Sequence, residues 1–159
     1  MDSPISRSQL GTPVYDQIIF EGGTYDTDVE GVTASFPELR FDAVLISVTQ
    51  NKNIVRTQIQ GRDGTVKEYV GQDDFRIKID GLITGDNGVH PKDEINDLKA
   101  MLDAPISIKI SCDYLTNLGI TDLVVDSYEI GQQAGGRSYQ QFSITAYSDE
   151  PLELRLSNV

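Results

Sequence analysis

From Phe41 onward, hydrophobic and polar positions alternate in short runs, the pattern of β-strands. Phe41, Ala43 and Leu45 share one parity and Val44, Ile46 and Val48 the other, so the first strand is expected to be covered on both sides. A second strand, Asn53–Gln60, sets Val55, Thr57 and Ile59 against Ile54, Arg56, Gln58 and Gln60. Gln50-Asn51-Lys52-Asn53 between them can make a hairpin turn. Gly61-Arg62-Asp63-Gly64 is a stronger turn signal, because Asp-Gly readily supplies the positive φ values of a tight reversal. Thr65–Val70 follows, and then Phe75–Ile83. In that last run Phe75, Ile77 and Ile79 alternate with Arg76, Lys78 and Asp80, predicting one dry face and one wet face.

Gly81, Gly85 and Gly88 break the strand pattern, and His90-Pro91-Lys92-Asp93-Glu94 starts a helix. Proline is tolerated at the first helical position, and acids in the first turn suit the exposed N–H groups. Ile95, Leu98 and Leu102 line one stripe with Met101 beside it, and Asp103-Ala104-Pro105 stops the helix, which spans about residues 91–103. Four more strands can be drawn at Ile106–Cys112, Leu123–Ile130, Tyr139–Tyr147 and Leu152–Leu156, with a glycine-rich loop from Gly131 to Gly136. The expected fold class is α+β, a mainly antiparallel, barrel-like sheet with one inserted helix.

Apart from Val14–Phe20, the first 39 residues show little period. They hold Pro4, Pro13 and Pro37, the Gly22-Gly23 pair and the acids Asp26, Asp28 and Glu30. They are read as an extended arm, 1–39, preceding a module at 40–156, because such a segment has no core of its own.

The 159 residues leave room for one domain with or without arms. A formal net charge of -12 disfavours nucleic acid and anionic membranes as partners. That charge is uneven. Residues 1–40 hold seven acids and two bases, 41–119 twelve and nine, and 120–159 six and two. No apolar stretch is long enough to cross a bilayer, so membrane insertion is not expected. The N-terminus lacks the basic start and apolar run of a signal peptide, which points to synthesis in the cytoplasm.

Known chemistries find little purchase. One cysteine excludes an intrachain disulfide, and one histidine excludes multi-histidine zinc sites. Gly61, Gly64 and Gly71 do not compose a phosphate loop. Asp86-Asn87-Gly88 fails the calcium-loop spacing, with no glutamate at position twelve. His90, at the helix start, fits a capping or packing role, and Cys112 ends an apolar strand as a buried thiol. Asp73-Asp74 and Asp149-Glu150 read as turn residues. Lys52, Arg56, Arg62, Lys67, Arg76 and Lys78, interleaved with Tyr69 and Phe75, are the best local case for nucleic acid. They lie among Asp63, Glu68, Asp73, Asp74 and Asp80, so a protein-binding surface of mixed charge is the more economical reading.

The ordered set Gln60-Gly61-Arg62-Asp63-Gly64-Thr65-Val66-Lys67-Glu68-Tyr69-Val70, then Asp73-Asp74-Phe75-Arg76-Ile77-Lys78-Ile79-Asp80-Gly81, then Pro91 and its helix, carries a resemblance. Over residues 40–156 it resembles the small β-rich tail and baseplate proteins of bacteriophages and contractile injection systems, most nearly a family of Bacteroidetes prophages. The order is also similar to the N-terminal module of Mu-like DNA-circularisation or baseplate-hub proteins. The resemblance implies a non-enzymatic ring or adaptor subunit of a virion or injection particle. It implies as partners copies of the chain itself and neighbouring tube, hub or baseplate proteins, with no cofactor and no direct nucleic-acid recognition. Strand pairing and clasping arms would hold the assembly. The candidate assembly loops are Gln50, Asn51 and Lys52; Arg62 and Asp63; Asp86, Asn87 and His90; and Gly135, Gly136 and Arg137. Two alternatives remain open. One is a peptide- or carbohydrate-binding module using Tyr114, Tyr128, Tyr139 and Tyr147; the other is a metal-dependent enzyme using His90.

Overall fold

The structure is a computed structural model that describes residues 16–132, 134, 135 and 137–149. The strands, in chain order, are β1 (Asp16–Phe20), β2 (Gly23–Asp26), β3 (Thr33–Phe36), β4 (Leu39–Thr49), β5 (Lys52–Gln58), β6 (Thr65–Gln72), β7 (Arg76–Thr84), β8 (Ile108–Ser111), β9 (Asp122–Gly131) and β10 (Tyr139–Ser148). Helix α1 (Lys92–Leu102) joins β7 to β8, and the short α2 (Asp113–Asn117) joins β8 to β9. Six strands close into an antiparallel barrel in the order β1-β4-β7-β10-β9-β8, while β2-β3 and β5-β6 form two separate hairpins. The α+β class holds. The number of helices is corrected from one to two, and the strand expected at Leu152–Leu156 lies outside the described residues.

The barrel interior follows the alternation seen along the chain. On β7, Ile77, Ile79 and Ile83 are buried while Arg76, Lys78 and Leu82 are exposed. On β10, Phe142, Ile144 and Ala146 are buried. Phe20 meets Phe41 edge-on with ring centroids 5.9 Å apart, and Phe41 meets Phe142 at 4.9 Å. Burial of each such side chain contributes about 1.5–3 kcal/mol. Gly81 pairs with both Phe142 and Val44. A Cβ there would stand 2.5 Å from Cζ of Phe142, so glycine leaves the space that the ring fills.

Two expectations about β4 and the N-terminal segment are overturned. β4 is not covered on both sides: Phe41 and Val44 are both buried, and Leu45 is exposed. The register shifts where Asp16 pairs with Val44 and Ile18 with Phe41, so two residues of β4 oppose one of β1. This bulge reverses the inward parity within one strand, which makes one dry face look like two. Residues 16–36, expected to belong to an extended arm, are folded. β1 pairs with β4 on one side and β8 on the other, and its Ile18 and Phe20 are fully buried. The described part of the weakly periodic Val14–Phe20 segment, Asp16–Phe20, is thus a barrel strand whose partners lie 19 to 92 residues away in the chain.

The helices lie at opposite ends of the barrel. Helix α1 follows the end of β7 and sends Leu98, Met101 and Leu102 into the core. Its first turn carries Asp93 and Glu94 against the free N–H groups, as the sequence suggests, and Pro91 sits one residue before its first turn. Hairpin β2-β3 folds over that same end, with Phe36 buried and Tyr25 packed on the core. Helix α2 covers the other end with Leu115 fully buried.

Candidate functional site

Barrel closure gives each of the six wall strands a paired neighbour on both sides along part of its length, whereas each hairpin strand has a single partner. Among the described residues, the two hairpins are therefore where a strand keeps one edge free along its whole length. The larger of them, β5-β6, is the most unusual part of the molecule.

Strands β4 and β7 are partners in the barrel wall as far as Thr49 and Arg76. Beyond that rim the same two chain segments continue as β5 and β6, paired from Lys52 and Gln72 to Gln58 and Thr65. The turn expected at Gln50-Asn51-Lys52-Asn53 does not form. The chain runs outward there, because three hydrogen bonds bind it to the returning segment. Asp73 N–H donates to the Asn51 carbonyl (2.9 Å), Gln50 Nε2 to the Asp73 carbonyl (3.0 Å), and Asn53 Nδ2 to Asp73 Oδ1 (3.0 Å). The reversal comes instead at residues 59–64, where the positive φ values fall on Gly61 and Gly64 and not on Asp63. The ribbon extends about 23 Å from the rim, at the usual rise of a strand.

Neither face of this ribbon meets the core: every strand residue from Lys52 to Gln72 except Gly71 is exposed. Apolar side chains stand in water on both sides, including Ile54, Val55, Val66, Tyr69 and Val70, the last 65% exposed. The register shift between Asn53 and Ile54 leaves Val70 as the extra residue of a bulge. Strand alternation puts Ile54, Arg56, Tyr69 and Lys67 on one face, and Val55, Thr57, Glu68 and Val66 on the other. Arg56 lies directly opposite Lys67. Like charges in that relation destabilise a hairpin. Among the described residues neither forms an ion pair; the three salt bridges present are Arg40–Asp42, Lys78–Asp80 and Lys99–Asp103.

The loop residues singled out by the sequence fall into three places. Gln50, Asn51 and Lys52 sit at the ribbon's base, beside a groove of about 610 Å³ on the barrel wall lined by Thr49, Asp73, Asp74, Arg76, Lys78 and Tyr147. Arg62 and Asp63 are at the ribbon's tip, in a dent of about 200 Å³. Asp86, Asn87, His90, Gly135 and Arg137 gather at the opposite end of the barrel. There Gly85 N–H donates to the Ser138 carbonyl (2.7 Å), and His90, Gly135, Arg137, Tyr139 and Gln140 line a cleft of about 340 Å³. Gly136 lies outside the described residues. The exposed apolar residues of the ribbon escaped notice because a run such as Asn53–Gln60 is read as half-buried by default. The available signal was that neither parity of the run is purely apolar.

The four tyrosines considered for a ligand site do not converge. Tyr139 and Tyr147 lie at opposite ends of β10 and line different clefts. Tyr128 donates to Asp103 Oδ1 (2.7 Å), and Lys99 pairs with the other carboxylate oxygen. Lys99, and after it Tyr128, hold the Asp103 carboxyl below the usual carboxylate range, while Asp103 raises Lys99 and Tyr128 in turn. Cys112 is buried, and burial pushes its thiol up, away from the reactive thiolate. Among the described residues no three His, Cys, Asp or Glu side chains are grouped to hold a metal ion, and no helix is long and apolar enough to cross a membrane.

The chain belongs to the family described as "Domain of unknown function (DUF6046)", which matches it over residues 40–159. The match begins inside β4, so β1 lies before it. No curated protein matches the chain.

Proposed function

We propose that this member of the family is a non-enzymatic structural subunit that joins copies of itself into a ring, with the β5-β6 ribbon as its clasp. The setting that the sequence resemblance implies is a phage tail, a baseplate or a related contractile injection system, with tube, hub or baseplate proteins as further neighbours. The observation that carries the reading is the ribbon's exposure on both faces. An isolated two-stranded hairpin is marginally stable in water and needs a third strand or a packed face. Among the described residues this one has neither, and it displays apolar side chains and two free edges. A neighbouring subunit supplies both.

The test compares the full chain with a variant in which residues 54–70 are replaced by a short turn. Light scattering after size exclusion and negative-stain microscopy should show closed rings for the first and a folded monomer for the second. A full-length protein that stays monomeric at every concentration and titrates a small ligand would instead favour the binding-module reading.

A further inference from the structure

The ribbon's charge is opposite to that of the rest of the molecule. Residues 52–72 carry four basic and two acidic side chains, leaving nine basic against twenty-three acidic elsewhere. The opposite pole is the most one-sided in the other sense. The connection at 21–38, which holds hairpin β2-β3, contains five acids (Glu21, Asp26, Asp28, Glu30 and Glu38) and no base. Its turn is folded: Thr27 donates to the Val32 carbonyl through both its N–H (2.9 Å) and its hydroxyl (2.7 Å), and Val32 N–H donates to the Val29 carbonyl (3.0 Å). That turn holds Asp28 and Glu30 in water beside Val29 and Val32, which are 63% and 49% exposed. Hairpin β2-β3 leaves the barrel where β4 begins and the ribbon leaves where β4 ends. The two features are therefore separated by the length of that strand, about 35 Å, and cannot meet within one copy.

Resting on the self-assembly reading above, we propose that the β2-β3 turn of one copy, through Asp26, Asp28 and Glu30, receives the Arg56–Lys67 face of the β5-β6 ribbon of the next copy. The occupant is a second copy of this chain because both halves of the contact are on it. Among the described residues the cationic pair forms no ion pair, and it is flanked by Ile54 and Tyr69, while the acidic turn is flanked by Val29 and Val32. Charge meets charge and apolar surface meets apolar surface. Because the two surfaces differ, the contact is heterologous and gives each assembly a direction; it closes a ring or extends a filament according to the rotation between copies.

Three full-length variants test it by sedimentation velocity: Arg56→Glu with Lys67→Glu, Asp26→Lys with Asp28→Lys and Glu30→Lys, and all five together. Each single-pole variant should need at least ~10-fold more protein to assemble. The five-fold variant should regain assembly, and so should an equimolar mixture of the two single-pole variants, since each ribbon then meets a turn of opposite charge on the other variant. If the acidic-turn variant assembles like the wild type while the ribbon variant does not, the receiving surface is elsewhere and only this proposal falls. A wild-type chain that never associates removes this proposal and the ring reading together. Should a reversed charge impair folding, salt gives an independent reading: wild-type assembly must weaken as ionic strength rises, and indifference to salt overturns the pairing.

Discussion

Gly81 shows how a single absent atom positions the core. Its place between Val44 and Phe142 leaves no room for a Cβ, which would sit 2.5 Å from the Phe142 ring and 3.0 Å from Val44 Cγ1. Gly81→Ala is therefore expected to cost about 1–3 kcal/mol, the usual range for overpacking. In a domain of this size that lowers Tm by roughly 3 to 10 °C. Gly71→Ala is the matched control. It lies in the ribbon with nothing within 4 Å of the added methyl, and it should leave Tm unchanged. Asp103 makes a second residue-scale case, one that depends on pH. Its folded pKa is lowered by Lys99 and then Tyr128, so it stabilises the native state above the ordinary carboxylate pKa of about 3.9. That contribution is lost as pH falls through the lower folded value. Asp103→Asn should accordingly melt slightly below the wild type near pH 7, the difference being small because the groups are exposed. The two melting curves should converge in acid. A gap that persists unchanged at the lowest pH would assign the effect to packing.

At the scale of elements, the ribbon and the barrel wall are one pair of chain segments in two environments. Strands β4 and β7 are held by a core, whereas β5 and β6 are held by each other and by the Gln50, Asn51 and Asn53 contacts to Asp73. Local opening should follow that division. In the monomer, the ribbon amides are expected to exchange with solvent many orders of magnitude faster than those of β7 and β10. Assembly should slow the ribbon selectively, and hydrogen-exchange mass spectrometry reads both states. Equal protection of ribbon and barrel in the monomer would mean that the ribbon is stable without a partner. The strands themselves were largely legible, because alternation at Phe75–Ile83 and Tyr139–Tyr147 reports a single dry face directly. The environment of β5-β6 was not. Alternation specifies that a strand forms but not what covers it, and in β4 the bulge beside Asp42 disguised a one-sided strand as a two-sided one. For the candidate loops, the sequence found the tip and base of the ribbon through their turn residues. It missed the Arg56–Lys67 juxtaposition, which exists only once the register is set.

For the whole molecule, the decisive contact is the least local one. β1 spans five described residues, yet among the described residues it is the strand that joins β4 to β8 and so closes the barrel. Nothing within its own sequence announces that role, since the partners that give it meaning are far along the chain. The prolines, glycines and acids around it favour an arm. Its removal would open the sheet, uncover the edges of β4 and β8 and expose a core from which Ile18 and Phe20 had been withdrawn. Those two side chains alone account for roughly 3–6 kcal/mol of burial, against a total stability of about 5–15 kcal/mol for an ordinary domain. A chain cut to residues 40–159, the span that defines the family match, is thus expected to lose its cooperative thermal transition or to aggregate through the uncovered edges. Supplying residues 1–39 as a separate peptide should restore the transition in proportion to the peptide added. An arm that merely clasps a neighbour would behave otherwise: the shortened chain would melt like the wild type and fail only in assembly. Circular dichroism on the truncated protein, with and without the peptide, separates a stave of the barrel from a tether.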